Sequence, residues 1–304
     1  MSAVAAQHRA VLQRVVGSLT DIAVLTRLAE ALYPDAPRTA GDWERLMNAW
    51  GDDLSVTLAW FDGRPKGFSQ SIRDRPNNIL NVEIAVYDDN DATEIAAALH
   101  TEALPYQRAE SLSRLQSSVL GEGVMARYWA AAGFEVVERF HRLSLRLPTS
   151  VSQAPVQIHI EELTATNTNL YAAHTLYCDG TRDQPGGGEP EDLASWTKRL
   201  DDGGHRLVGT VNGEGVGYAS LRTTEARPTT AFHSLTTVAR EHRGRGIRLA
   251  LKAGVIDWAQ DHGFTLLETA SATENIRMRA INDALGFQPL PTVLVFEKTA
   301  RPPT

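Results

Sequence analysis

The segment Thr236-Thr237-Val238-Ala239-Arg240-Glu241-His242-Arg243-Gly244-Arg245-Gly246-Ile247-Arg248-Leu249-Ala250-Leu251-Lys252 runs from a β-rich stretch, through a turn with two glycines, into a helical pattern. The helical pattern is carried by Ile247, Leu249, Ala250, Leu251, Val255, Ile256 and Trp258. Strand, glycine turn and helix together present backbone N–H groups to an anion. The first N–H groups of a helix lack internal partners, and the helix dipole makes that end positive. Gly244 and Gly246 let the backbone approach a bulky phosphate, and Arg243 and Arg245 add charge at the mouth. A nucleotide P-loop would need Lys-Ser or Lys-Thr after the turn, and a dinucleotide fingerprint would need a glycine where Leu249 stands.

A second motif follows the strand-like run Thr265–Ser271. It reads Asn275-Ile276-Arg277-Met278-Arg279-Ala280-Ile281-Asn282-Asp283-Ala284-Leu285-Gly286-Phe287. Met278, Ile281 and Leu285 repeat at three and four and share one helix face, with Gly286 as a C-cap. Arg243 to Arg248 resembles the pyrophosphate loop of the GCN5-related N-acetyltransferase (GNAT) superfamily, Gln/Arg-x-x-Gly-x-Gly/Ala, with Arg248 in place of the last small residue. The Asn275–Phe287 run is similar to that family's next motif. The two occur in the family's order and separation, and the resemblance covers roughly residues 155–299.

Composition is consistent with this. The 304 residues suffice for two domains, and a hydrophobic share of 42% suffices for two cores. A single cysteine, Cys178, excludes a disulfide framework or a cysteine zinc site and suits a reducing cytoplasm. No run has the length of a membrane span, and residues 8–31 read as an amphipathic helix. The net charge of −7 argues against nucleic-acid binding.

The chain also repeats itself. Phe61 to Phe68 parallels Val211 to Tyr218, each a hairpin with a glycine turn, at an offset of 213 − 63 = 150. Met125 to Phe134 parallels Met278 to Phe287, at 286 − 133 = 153. This implies duplication of one α/β unit: domains over 1–150 and 151–304, joined by the proline-containing linker Leu147–Pro155. The first half's counterpart of the glycine turn is Val86-Tyr87-Asp88-Asp89-Asn90-Asp91-Ala92, whose aspartates would repel a pyrophosphate. The counterpart of Asn282 is Trp129. The first domain therefore reads as degenerate and structural. A silent first domain before an active second one also resembles the mycothiol synthase branch of the superfamily, although no residue pattern singles out that reaction.

The resemblance implies acetyl-coenzyme A as co-substrate, held by backbone groups of Thr236 and Val238, by Arg243, Gly244, Arg245, Gly246, Ile247 and Arg248, and by Asn275, which would reach the pantetheine arm. The Thr236 amide would serve the oxyanion. The position of the family's proton-donating Tyr is Asn282, which cannot deliver a proton, and the position of its Glu base is Phe232. His233, with a suitable pKa range, and Glu268 on the neighbouring strand are candidate bases. Alternation points His233 to the other face unless a bulge intervenes. An ordered water chain, or another acid in the acceptor loop, is the remaining candidate. The acceptor is expected over Tyr171 to Trp196, which holds the glycine- and acid-rich run Asp179–Asp192.

The sequence thus predicts an α/β protein of two tandem GNAT-like domains, each a mixed, splayed β-sheet flanked by helices. It predicts a cytoplasmic N-acetyltransferase that acts by direct transfer on a primary amine of a small metabolite or antibiotic-like compound. No metal, nucleic-acid or membrane partner is expected, and the oligomeric state is open. Alternatives are acetylation of a protein or peptide amine, and a non-catalytic acetyl-coenzyme A sensor.

Overall fold

Both glycine turns that the sequence marks close β-hairpins. Asp62 and Gly63 have φ of 51° and 71°, and Asn212 and Gly213 have 53° and 83°. Two successive left-handed residues match the twist of the flanking strands, and Asn, Asp and Gly adopt that region at least cost. The structure, a computed structural model, describes residues 10–109, 111–150, 156–164, 166–184, 189–198, 200 and 204–299. Part of the linker (151–155) and of the acid-rich loop (185–188) lies outside the described residues.

The first repeat contains β1 (Val11–Arg14), α1 (Leu19–Leu32), α2 (Ala40–Trp50), β2 (Leu54–Phe61), β3 (Arg64–Asp74), β4 (Ile79–Val86), α3 (Ala92–Ala109), β5 (Arg114–Leu120), α4 (Val124–Ala131) and β6 (Glu135–Arg146). The second contains β7 (His159–Glu162), α5 (Leu170–Asp183), α6 (Leu193–Lys198), β8 (Gly204–Val211), β9 (Glu214–Thr224), β10 (Arg227–Val238), α7 (Ile247–Asp261), β11 (Leu266–Ala272), α8 (Ile276–Ala284), β12 (Gln288–Pro289) and β13 (Val293–Thr299). The expected helix over residues 8–31 is corrected. Val11–Arg14 pairs with β2, Gly17 turns the chain at φ 81°, and the Ser18 side chain accepts the Asp21 amide to start α1. Thr39 and Asp42 form a reciprocal capping box at the start of α2.

The described residues form two compact units, one running to Arg139 and resuming at Thr292, the other spanning Phe140–Pro291. These units do not coincide with the chain halves 1–150 and 151–304. The reason is an exchange of last strands. In the first unit the sheet order is β1-β2-β3-β4-β5-β13, so its final place is filled by the end of the chain. In the second the order is β7-β8-β9-β10-β11, followed by residues Phe140–Arg146 of β6. Both sheets are mixed, with one parallel pair each, β4 with β5 and β10 with β11.

Those parallel pairs are short. β10 and β11 pair from Thr230↔Leu266 to His233↔Thr269, yet β10 stays paired with β9 as far as Val238, and β11 with β6 as far as Ala272. Each strand is thus anchored on its outer side while the two part between them. In the first unit β4 meets β5 only over Ile79–Asn81, although β4 follows β3 to Val86. The second unit has a core on each face of its sheet. Ala219 and Leu221 of β9 pack with Ile247, Leu251, Val255 and Ile256 of α7, and Tyr218, just before Ala219 and on the other face, packs with Ala173 and Leu176 of α5 and Trp196 of α6.

The exchange makes a prediction about fragments. Residues 151–304 lack Phe140–Arg146, which cover the outer edge of β11, and carry β13 without β5. Uncovered strand edges are aggregation sites. Fragment 151–304 should therefore be insoluble or lack a cooperative melt, whereas fragment 140–291 should be soluble and melt cooperatively. Light scattering and circular dichroism on the two fragments decide this, and equal behaviour would contradict it.

Candidate functional site

The parting of β10 from β11 leaves a strand edge without a neighbouring strand. The Ala239 amide donates to the Val216 carbonyl at 2.9 Å, on the β9 side. In an antiparallel pair successive residues alternate sides, so the backbone groups of Thr236 and Val238 point into the gap. The Val238 carbonyl accepts Arg243 Nε at 3.0 Å. This ties the open edge to the glycine turn beside it.

Gly244 and Gly246 have φ of 77° and 80°, and Gly246 is the N-cap of α7 with no side chain capping the helix. A Cβ added to Gly244 would meet nothing within 4 Å, so the turn is open to a ligand. Ile247 is buried and Arg245 exposed. Arg243 Nη2 reaches Asp183 Oδ2 at 2.6 Å, and Arg240 reaches the other oxygen at 3.4 Å. Burial first, then the neighbouring Arg243 and Arg277, makes the Arg248 guanidinium costlier to keep charged, while Asp183 acts in the opposite sense. A second anion here would relieve that crowding, since the exposed helix N–H groups face the same place.

The candidate bases are not gathered on the ligand edge. β10 does have a bulge: its register with β9 shifts between His233 and Leu235. The extra residue is Ser234, after His233, so His233 keeps the α7 face. It is 1% exposed, its Nε2 lies 2.8 Å from Thr236 Oγ1, and its Nδ1 has no hydrogen-bond partner. Burial, with the Lys252 charge adding to it, holds its pKa well below the ordinary histidine value, against a weaker backbone effect of Leu235. Both oxygens of Glu268 are engaged by guanidinium groups, Oε2 by Arg142 Nη2 at 3.2 Å and Oε1 by Arg227. Both oxygens are thus occupied by donors rather than open to a substrate amine. Asn275 Oδ1 accepts the Met278 amide at 3.2 Å and caps α8, leaving its NH2 for a ligand.

Asn282 is fully buried, and its Oδ1 accepts Lys252 Nζ at 2.6 Å while its Nδ2 has no partner. Lys252 itself is 1% exposed, with Nζ 5.1 Å from the centre of the Phe287 ring. Burial, and then Arg248, pushes its pKa down to about 7. The sequence reading missed this lysine. A signal was present: Lys252 lies four residues before Ile256 and three before Val255, on the stripe that α7 buries.

A cavity of about 390 Å³ opens on the opposite face of the sheet, lined by Tyr177, Trp196, Tyr218, Arg206, Arg222 and Ser234 among others. Tyr177 and Trp196 stack at 5.8 Å, and burial holds the Tyr218 phenol up to about 12. Tyr177, Glu191 and Trp196 come from the segment Tyr171–Trp196 in which the sequence places the acceptor. Phe232 lies beneath the Arg222 guanidinium at 5.2 Å. Cys178, partly buried, has its thiol pKa raised by burial. Among the described residues no group of three His, Cys, Asp or Glu side chains gathers as metal ligands would.

The first unit is built differently at the corresponding places. Asp89 and Asp91 accept Lys66 Nζ at 2.6 and 3.5 Å, and Asp88 lies 3.7 Å from Arg127. Trp129 is fully buried, with His100 and Phe134 rings at 4.9 and 4.6 Å.

Residues 170–287 match the family model described as acetyltransferase (GNAT) family. A sequence search of curated proteins finds no match. Among solved structures, the chain is similar to a tandem GNAT protein from the clavulanic acid biosynthesis pathway, at 20% identity over 97% of this chain and 100% of that one, with a TM-score of 0.77. It is also similar to a GCN5-related N-acetyltransferase from Sphaerobacter thermophilus (17% identity, 97% and 96% covered, TM-score 0.75). A third is a GCN5-related glucosamine N-acetyltransferase region of a fungal multi-domain β-N-acetylglucosaminidase (14% identity, 97% and 38% covered, TM-score 0.72). No membrane-crossing helix is found among the described residues.

Lys252 makes the second unit's stability depend on pH. Its ordinary pKa is 10.5 and its folded value about 7. Between these values the unfolded chain holds a proton that the folded one lacks, so stability rises with pH across the window and is flat on either side. The difference between wild type and Lys252→Met should move in favour of wild type by about 1.4 kcal/mol per pH unit inside that window. Denaturant melts of both proteins from pH 6 to 11 measure it. A difference that does not change with pH would show that the fold does not depress the pKa of Lys252.

Proposed function

We propose, from the match of residues 170–287 to the acetyltransferase (GNAT) family model, that the protein moves an acetyl group from acetyl-coenzyme A to a primary amine of a small metabolite or antibiotic-like compound. The observation that carries this reading is one juxtaposition. The open edge of β10 adjoins an uncapped, arginine-rich helix start on one side, and a cavity lies on the other face of the same strand at Ser234. A donor with a phosphate-bearing arm and an acceptor amine could reach the same carbonyl from these two places.

In this reading the pyrophosphate lies on the N–H groups of Gly244 to Arg248, with Arg243, Arg245 and Arg248 supplying charge. The backbone of Thr236 and Val238 and the Asn275 NH2 hold the arm. The uncharged amine attacks the thioester carbonyl, and the Thr236 amide stabilises the oxyanion. As the C–S bond breaks, the thiolate takes a proton from solvent or from the ammonium product. His233 and Glu268 are both engaged away from the ligand edge, whereas Glu191 of the acceptor segment lines the cavity at Ser234, so the nucleophile would lose its proton to that carboxylate or to solvent. Similarity to a clavulanic-acid-pathway protein favours a small metabolite over a protein amine. The arginines on Glu268 and the burial of His233 favour a second reading, a coenzyme sensor that binds without turnover.

Calorimetry with acetyl-coenzyme A should give one site per chain. Gly246→Glu should remove binding without loss of the fold, because a Cβ and a carboxylate would enter the anion site at a left-handed position. Thiol release across an amine panel separates enzyme from sensor. Unchanged affinity in Gly246→Glu, or two coenzymes per chain, would contradict the proposal, and binding without release for every amine would establish the sensor.

A further inference from the structure

We propose that Lys252 is a positioning residue: by holding Asn282 Oδ1 it presents the Asn282 NH2 as a hydrogen-bond donor at the closed end of the gap between β10 and β11. This rests on the functional reading above, in which the gap receives the thioester.

A buried primary amide can present either its oxygen or its nitrogen to a neighbour. An ammonium group has donors only, so it selects the oxygen. Lys252 Nζ does this at 2.6 Å, and the nitrogen end of Asn282 is left buried without a partner. Buried amide N–H groups without partners are costly and uncommon. The cluster lies at the crotch of the gap. His233, in the last residue pair before the strands part, carries the ring that Thr236 Oγ1 meets at 2.8 Å and that feels the Lys252 charge. Thr236 is the residue whose backbone faces the opening. A donor aimed there can meet the thioester oxygen or the sulfur as charge develops on it.

The device is proton-linked. Lys252 is faced by Arg248 one turn earlier on α7, by His233 from β10, by Asn282 from α8 and by the Phe287 ring. His233 stays neutral in the range concerned, and Arg248 stays charged. Lys252 is the member of this group that changes charge near neutrality. Once neutral, its nitrogen can accept as well as donate, so the amide is no longer held in one sense.

The test is steady-state kinetics on the full chain from pH 6 to 9.5, with an amine that the panel shows to be acetylated, for wild type, Lys252→Met, Asn282→Ala and the double variant. Each single variant should lower kcat about tenfold at pH 6, with KM for acetyl-coenzyme A changed less than about threefold. The double variant should be no worse than either single one, because both remove the same donor. The ratio of wild-type to Asn282→Ala kcat should fall toward unity as pH rises through about 7. That ratio also serves if Lys252→Met does not fold. A ratio constant with pH, losses that multiply in the double variant, or a loss of less than twofold would each overturn the proposal. Failure of wild type to bind acetyl-coenzyme A by calorimetry would instead overturn the functional reading on which it stands.

Discussion

The parting of β10 from β11 after His233 and Thr269 is the constraint on which the rest of the second unit depends. A parallel pair that continued would have consumed the backbone groups of Thr236 and Val238. The pair can open because each strand is anchored on its other side, β10 on β9 and β11 on Phe140–Arg146. The opening exposes edge groups that a ligand must satisfy, since buried backbone N–H and C=O groups are rarely left unpaired. It also directs the chain from Val238 straight into the glycine turn and α7, which sets a positive helix end beside the exposed edge.

Burial then distributes charge around that opening in an uneven way. The carboxylate on the neighbouring strand, Glu268, is held by Arg142 and Arg227. The basic groups His233 and Lys252 lie on the α7 face, where burial drives both toward their neutral forms. Positive charge gathers at the α7 start, where Arg243 and Arg248 stand close and Asp183 acts against them. The site therefore offers anion binding and backbone donors more readily than a side-chain base. This matches the direct-transfer reading, in which the amine arrives uncharged.

The two repeats show how one scaffold diverges at its ligand edge. β4 and β5 also part after a short pairing, so the first unit retains the opened geometry. Its turn carries Asp89 and Asp91 bound to Lys66 rather than glycines beside arginines, and the place of Asn282 holds the buried Trp129. The Trp129 ring occupies its place by packing against His100 and Phe134, where Asn282 instead takes the Lys252 ammonium.

Much was legible in the sequence because it is local. The glycine turn, the two hairpins and the Asn275–Phe287 helix each depend on residues within one or two turns of one another. They are visible as left-handed positions, caps and three-four periodicity. The resemblance to the acetyltransferase family, the mixed α/β class and the repeat follow from these segments. Tertiary structure alone decided the partners. Lys252 meets Asn282 across 30 residues, and Glu268 meets Arg227 and Arg142 across 41 and 126. The same holds for the exchanged last strands: β6 and β13 read as strands in either arrangement, because β-patterning specifies an inward face but not which sheet edge receives it. Periodicity reports which side of an element is buried, while the charge state of a buried lysine or carboxylate is set by the atoms that other elements bring against it.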